Sequence, residues 1–410
     1  MSNEVTLYEN KKQDISIHIF GPYDRFNFGD LLFPIVLEHY LKVNISQANC
    51  CFFGTFNFDL TKRGGYHGRG YTELIKSLSK QKNRIVIVAG GEVLGASWHI
   101  LYFYKSQWYS FLCSNKFFKK LLIKLNISRI LNKSRTNMPF NINKNDFPIN
   151  TLAIYNSVGG IYLDDFSEFK NQSFINLLGV RDNLTFKKAK TAEIDNVGLY
   201  PDSAIMISSI ITDQRLDNDK NIRPFIREFQ NNQFCVFQIS DHHAKELVDK
   251  ISEQLTYIAD TLNVRILLCP FAKLAGHSNQ IPLKQILKKS KGKFIYINSP
   301  SLSEIVFLIR HCKFFIGSSL HGIIVSMSYS KPYFAIGKNH TKLQEYLKTW
   351  GQHEYSEVSN PENFAQKVVN SDLEETKTNL LNETANQKQL YLEFIKKISK
   401  LILDTANHEK

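Results

Sequence analysis

The stretch 313–322 carries a short apolar strand pattern into Gly317-Ser318-Ser319-Leu320-His321-Gly322, and 323–330 continues as an apolar helix pattern. A strand that turns through glycine into a helix leaves the helix's first backbone N–H groups without intrahelical partners, with the positive end of its dipole behind them. Such a turn is an anion site. Ser318, Ser319 and Leu320 form its backbone. His321, in the first turn, adds a titratable group able to pass a proton or hold a phosphate oxygen. A histidine in a glycine-flanked turn is read here as functional rather than structural.

Other candidates sit where strands end. Gly179-Val180-Arg181-Asp182 presents in Arg181 a planar donor fork suited to a carboxylate or phosphate, the plainer reading being a structural ion pair. Asn27-Phe28-Gly29-Asp30 follows a strand and opens a helix over 31–41, with Pro34 near its first turn. Gly29 permits close approach of backbone to a ligand. Residue statistics favour Asp30 as the cap of that helix; the other reading is a base pointing into a cleft. Gly90-Gly91-Glu92 and Ser157-Val158-Gly159-Gly160 are further glycine turns at strand ends. Neither is GxGxxG, so no dinucleotide fingerprint exists. Pro201-Asp202-Ser203 reads as a turn.

The elements that must position these groups are near-continuous apolar runs. They fall at 15–20, 84–89, 152–158 and 177–180, then at 234–239, 265–269, 294–297, 314–316 and 333–336, with helices such as 244–261 and 302–312 between them. That rhythm means parallel sheets covered on both faces. The expected fold class is α/β: two Rossmann-like domains, 14–205 and a donor-binding 206–350, with a hinge near 201–212 and parallel sheets facing a cleft. Ligands in such folds bind beyond the carboxyl ends of the strands. Ser301 with Glu304 spells a capping box. Leu390, Phe394, Ile398 and Leu401 recur at helical spacing, so 376–404 is expected to be an amphipathic C-terminal helix packed back on both domains.

A chain of 410 residues is long enough for two cores. Its net charge of +13 admits nucleic acid, an anionic membrane, an acidic substrate or mere compositional bias. No nucleic-acid motif accompanies the charge. Six cysteines lack metal-site spacing, Cys235, Cys269 and Cys312 reading as core residues, and no metal is expected. The opening MSNEVTLYENKKQD has no apolar run, and none elsewhere approaches a membrane span, so a cytoplasmic location is expected. One segment breaks the α/β rhythm. In 98–148, Lys105, Lys116, Lys119, Lys120, Lys124, Arg129, Lys133, Arg135 and Lys144 interleave with aromatic and aliphatic residues against the single acid Asp146. It reads either as a peripheral contact with an anionic membrane or as an insertion with solvated lysines.

Taken in order, NFGD, GGE, SVGG, GVRD, PDSA and SSLHG, with SKPYFAI following, resemble the polysaccharide pyruvyl transferase family from about Phe20 to Ile336. The resemblance implies two Rossmann-type domains in the GT-B arrangement. It implies transfer of the pyruvyl group of phosphoenolpyruvate onto two hydroxyls of a cell-surface glycan or its lipid-linked precursor, forming a ketal. By that likeness His321 is the acid or phosphate ligand and Asp30 the base. Arg181, Asn27, Gly29, Gly90, Gly91, Ser318, Ser319 and Leu320 bind substrate. Lys338 and Lys342, just after the last strand, close over the anion. No cofactor beyond the donor is implied. Many members carry Arg where this chain has Ser319, which leaves a lysine to substitute or the donor to differ; GGE in place of a third glycine is a milder departure. A GT-B glycosyltransferase using a nucleotide sugar, and a non-catalytic glycan binder, are the alternatives.

Overall fold

A computed structural model describes residues 14–231, 233–272, 279–351 and 357–408. The leading segment, on which the leader reading rests, lies outside the described residues save for Asp14. Thirteen strands are described: β1 (Ile15–Phe20), β2 (Ala48–Phe53), β3 (Phe58–Asp59), β4 (His67–Gly68), β5 (Ile85–Ala89), β6 (Leu152–Val158), β7 (Leu177–Val180), β8 (Val197–Leu199), β9 (Phe234–Gln238), β10 (Arg265–Leu268), β11 (Phe294–Tyr296), β12 (Phe314–Gly317) and β13 (Tyr333–Ala335). The first sheet runs β2-β1-β5-β6-β7-β8 and the second β11-β10-β9-β12-β13, with β3-β4 a small separate hairpin. Every strand pairing described in the two large sheets is parallel. The class is α/β, two Rossmann-like halves in the GT-B manner.

Period-2 alternation explains why both sheet faces are apolar. In β5, Ile85, Ile87 and Ala89 enter one buried cluster, while Val86 and Val88 enter another on the opposite face. The first cluster continues into the second half: Phe28 packs on Phe271 with ring centroids 5.0 Å apart. A backbone bond from Phe28 N–H to Phe271 O, 2.9 Å, ties the same point.

Chain order reverses direction between β1 and β5 in the first sheet and between β9 and β12 in the second. Those two switch points are where an open parallel sheet leaves a crevice beyond its strand ends. Here they face each other. The chain crosses between the halves through Ser203–Met206 and Ile207–Ile210, where Ala204, Ile205 and Ile207 are fully buried. The capping box at Ser301 and Glu304 forms at the head of Leu302–His311, and Glu304 also holds Arg223 with Oε1 2.6 Å from Nε.

The C-terminal helix, Leu373–His408, touches both halves. Phe394 stacks on Tyr200 at 3.9 Å, and Tyr391 donates to Asn156 at 3.1 Å, both in the first half. Lys388 donates to the carbonyl of Ser328 at 3.1 Å in the second. Two departures from the sequence expectation concern strands. β2 is a half-exposed edge and β8 is three residues long, so neither shows the apolar run of a central strand. A third concerns the first helix, which spans Phe28–Asn44 rather than 31–41 and holds Pro34 in its interior. Proline donates no N–H there, leaving a carbonyl near the helix start unpaired within the helix.

Candidate functional site

A cleft of about 480 Å3 opens at the paired switch points. Its first-half wall includes Pro22, Arg25, Asn27 and Asp30 after β1, Gly91 and Glu92 after β5, and Arg181 after β7. Its second-half wall includes Gln238 at the end of β9 with Ser240, His242 and His243 after it, Ser318, Ser319, Leu320 and His321 after β12, and His340 and Lys342 after β13.

The turn after β12 begins the helix Leu320–Ser328, with Ser319 as its cap accepting from Gly322 N–H at 3.2 Å. Ser318 Oγ is engaged, accepting from Ser240 N–H at 3.0 Å, and so fastens two switch-point loops together. The N–H groups of Leu320 and His321, in the first turn, have no intrahelical acceptor and face a positive dipole end.

His321 stands between the halves. Its Nε2 lies 3.5 Å from Oδ2 of Asp202, close but without a hydrogen bond. Phe33 meets its ring edge-on at 5.4 Å. Its other edge lies against Gly29, where a Cβ would fall 1.9 Å from Nδ1. The glycine is therefore required by close approach of the imidazole. A Cβ on Gly91 would sit 3.5 Å from Arg181 and 3.6 Å from His321, so three candidates converge on one point.

Asp202, fully buried, joins the halves electrostatically. Its Oδ2 accepts from Arg181 Nη1 at 2.8 Å, and its Oδ1 accepts from Ala204 N–H at 3.0 Å. Burial alone would raise its carboxyl, but His321, Arg181 and the Ala204 bond outweigh that and hold it below the ordinary range. Arg181 is 2% exposed and also reaches Glu92 at 3.4 Å. Burial opposes its charge, yet the carboxylates of Asp202 and Glu92 leave it more firmly protonated than usual. Its charge is thus matched inside the protein before any ligand arrives.

Asp30 is not the helix cap; Asn27 occupies that position, with no side-chain cap bond, and donates instead to Asp30 Oδ2 at 2.9 Å. Burial raises the Asp30 carboxyl above its ordinary value despite Arg25, His321, Lys342 and Asn27. A carboxyl raised by burial and facing the cleft is a candidate for proton transfer. Burial likewise lowers Lys342, assisted by Arg181 and opposed by Glu92 and Asp30. Lys342 makes no ion pair among the described residues, so it is the cleft cation least committed within the protein.

Asn27, Asp30, Gly91, Arg181, Ser318, Ser319, Leu320, His321 and Lys342 line the one cleft, and Gly29 supports His321 from beneath. Gly90 lies behind the wall against Pro22 and Val93. Lys338 does not fit the expectation that it closes over an anion: it is exposed and outside the cleft lining, and its backbone N–H is turned toward His243 Nδ1 at 3.2 Å. Three features escaped the sequence. Asp202 looked like a turn residue. Arg25, on the cleft wall and 3.3 Å from Asp24, carried no motif. His243 and His340 stack at 4.5 Å and 20°. His340 Nε2 donates to Ser318 O at 3.0 Å, and its pKa is lowered to about 3 by burial, then Lys342 and His243.

The model of one family, described as polysaccharide pyruvyl transferase, matches residues 27–340. No curated protein matches the chain. Among solved structures, S. aureus MnaA with UDP superposes with a TM-score of 0.57 at 11% identity, over 95% of this chain and 97% of that one. The Neisseria meningitidis UDP-GlcNAc 2-epimerase bound to UDP-GlcNAc gives 0.50 at 13% identity, over 96% and 99%. At such identities the likeness is one of fold.

Proposed function

The chain belongs to the polysaccharide pyruvyl transferase family, and from that premise we propose that it transfers the pyruvyl group of phosphoenolpyruvate to two hydroxyls of one sugar in a cell-surface glycan or its lipid-linked precursor. The observation that carries the reading is the meeting of Arg181 and Asp202 from the first half with His321 from the second, beside Lys342.

In the proposed reaction a proton adds to the donor's methylene carbon, which becomes the methyl group. The adjoining carbon turns electrophilic, bonds to two sugar oxygens and releases phosphate. One hydroxyl proton replaces the one delivered to carbon, and the other leaves with phosphate. His321 is the acid or phosphate ligand, and Asp202 behind it helps to orient the imidazole, as a buried carboxylate does in other acid–base pairs. Asp30 accepts a hydroxyl proton. Lys342 and the N–H groups of Leu320 and His321 hold the leaving phosphate, taking the part that arginine plays at the Ser319 position in many relatives. Arg181 orients Asp202 and Glu92 and adds positive potential. No cofactor or metal enters this scheme.

Calorimetry with phosphoenolpyruvate and with a nucleotide sugar tests the donor. Heat from the first is expected; heat from UDP-GlcNAc alone would sink the reading. That second donor belongs to the glycosyltransferase alternative, which would use the same two-halved architecture. His321→Ala is expected to abolish phosphate release in the presence of donor and glycan.

A further inference from the structure

We propose that the insertion docks on the headgroup layer of an anionic bilayer through the helices Gln107–Ser114, Lys116–Lys124 and Ile127–Leu131. The central helix buries none of its residues. At about 100° per residue, Phe117, Phe118, Leu121, Leu122 and Leu125 fall within an arc of roughly 140°. Lys116, Lys119, Lys120 and Lys124 occupy the opposite arc, where Ile123 is the one apolar residue. Trp108 (62%), Phe111 (76%) and Phe117 (70%) are exposed alongside Ile130 and Leu131. A helix does not present that much apolar surface to water without a partner to cover it.

Charge decides what the partner is. None of the insertion's nine cations enters an ion pair among the described residues. The only acid, Asp146, is turned inward, accepting from Tyr71 at 2.9 Å and Ser134 at 2.8 Å. Protein interfaces are depleted of lysine. An interfacial helix uses it, the ammonium groups reaching lipid phosphates while aromatic and aliphatic side chains enter the acyl boundary. No described helix is long and apolar enough to cross a membrane, so contact of these helices is superficial. The patch is continuous with the cleft: Ser106 joins it to the helix Trp98–Lys105, whose Ile100, Leu101 and Tyr104 line the cleft wall.

The test uses the full chain, without donor or glycan, so its outcome is independent of the transferase reading. Co-sedimentation is measured with vesicles of phosphatidylcholine alone and with added phosphatidylglycerol. Binding is expected only to the anionic vesicles, falling steeply with salt. Trp98 is buried and Trp350 partly buried, so a blue shift on binding reports chiefly Trp108. Lys119→Glu/Lys120→Glu is expected to weaken binding at least roughly 25-fold, Lys119→Arg/Lys120→Arg to restore it, and Phe117→Ser/Phe118→Ser to remove the shift; all retain the wild-type melting temperature. Absence of binding at low salt overturns the proposal. So does equal binding of wild type and the charge-reversed variant. A dimer abolished by Phe117→Ser/Phe118→Ser, without vesicle binding, would assign the surface to a second copy of this chain.

Discussion

Gly29→Ala separates the geometry of His321 from the stability of the fold. The added Cβ would lie 1.9 Å from Nδ1 and 2.4 Å from Cγ, whereas ordinary contact begins at 3.4 Å. The imidazole must therefore retreat by about 1.5 Å or rotate. Phe33 bounds the ring edge-on at 5.4 Å and Asp202 lies at 3.5 Å, so retreat or rotation changes the distance to Asp202. Overpacking costs about 1–3 kcal/mol, and alanine in a helix returns about 1 kcal/mol relative to glycine. The net destabilisation is roughly 0–2 kcal/mol, a melting shift under roughly 8 °C. A misplacement near 1 Å at a reacting group costs about 100-fold in rate. Phosphate release from phosphoenolpyruvate with the glycan should thus fall by about 100-fold in a folded variant, measured alongside a melting curve. A folded variant with the wild-type rate would refute the assignment of His321 to the chemistry.

Asp202→Asn leaves Arg181 buried with a single weaker acid partner; urea titration should show a loss of about 3–5 kcal/mol, with phosphate release down at least roughly 100-fold, and wild-type stability would remove Asp202 from its central place. Lys342→Met should weaken phosphoenolpyruvate binding roughly 10–100-fold by calorimetry while leaving melting unchanged or raised, whereas Lys338→Met should change neither; equal effects would argue against Lys342 as the anion's partner. Acid should destabilise the fold through His18, whose pKa is lowered to about 4 by burial, the Ile85 carbonyl bond and Arg69 acting in opposite directions on it. Because the unfolded histidine binds its proton near pH 6.5, this contribution is complete above that value and is lost as pH falls toward 4, the loss reaching about 2 kcal/mol by pH 5. His340 acts in the same direction. Urea midpoints at pH 7 and 5, with His18→Gln flattening the difference, check it; a flat wild-type profile counts against it.

The central strands were legible because a buried parallel strand must be apolar on both faces, as Ile85–Ala89 is. The turn after β12 was legible because strand, glycine and helix follow one another in the chain. β2 could not be read that way, since its ANCCFF is half-exposed. Asp202 illustrates a second limit. Its neighbours in sequence describe a turn, while its importance comes from Arg181 and His321, which only folding brings to it. Lys338 and Lys342 differ by one helical turn's spacing and are indistinguishable by type; the loop between them, with Asn339 at a φ of 51°, sends one to solvent and the other into the cleft. For Asp30 local statistics favour a cap over a base pointing into the cleft, yet the helix starts earlier, Asn27 takes the cap position and Asp30 lines the cleft.

The long C-terminal helix has a temporal consequence. Tyr391 reaches Asn156, 235 residues earlier in the chain, and Phe394 covers the strand at Gly179. At about 5–20 residues per second, a ribosome needs roughly 10–50 s to synthesise that interval. Until it has, the strip formed by Gly179 and Tyr200 lacks its aromatic cover. A nascent first half therefore waits with an apolar seam exposed until Tyr391 and Phe394 arrive to cover it.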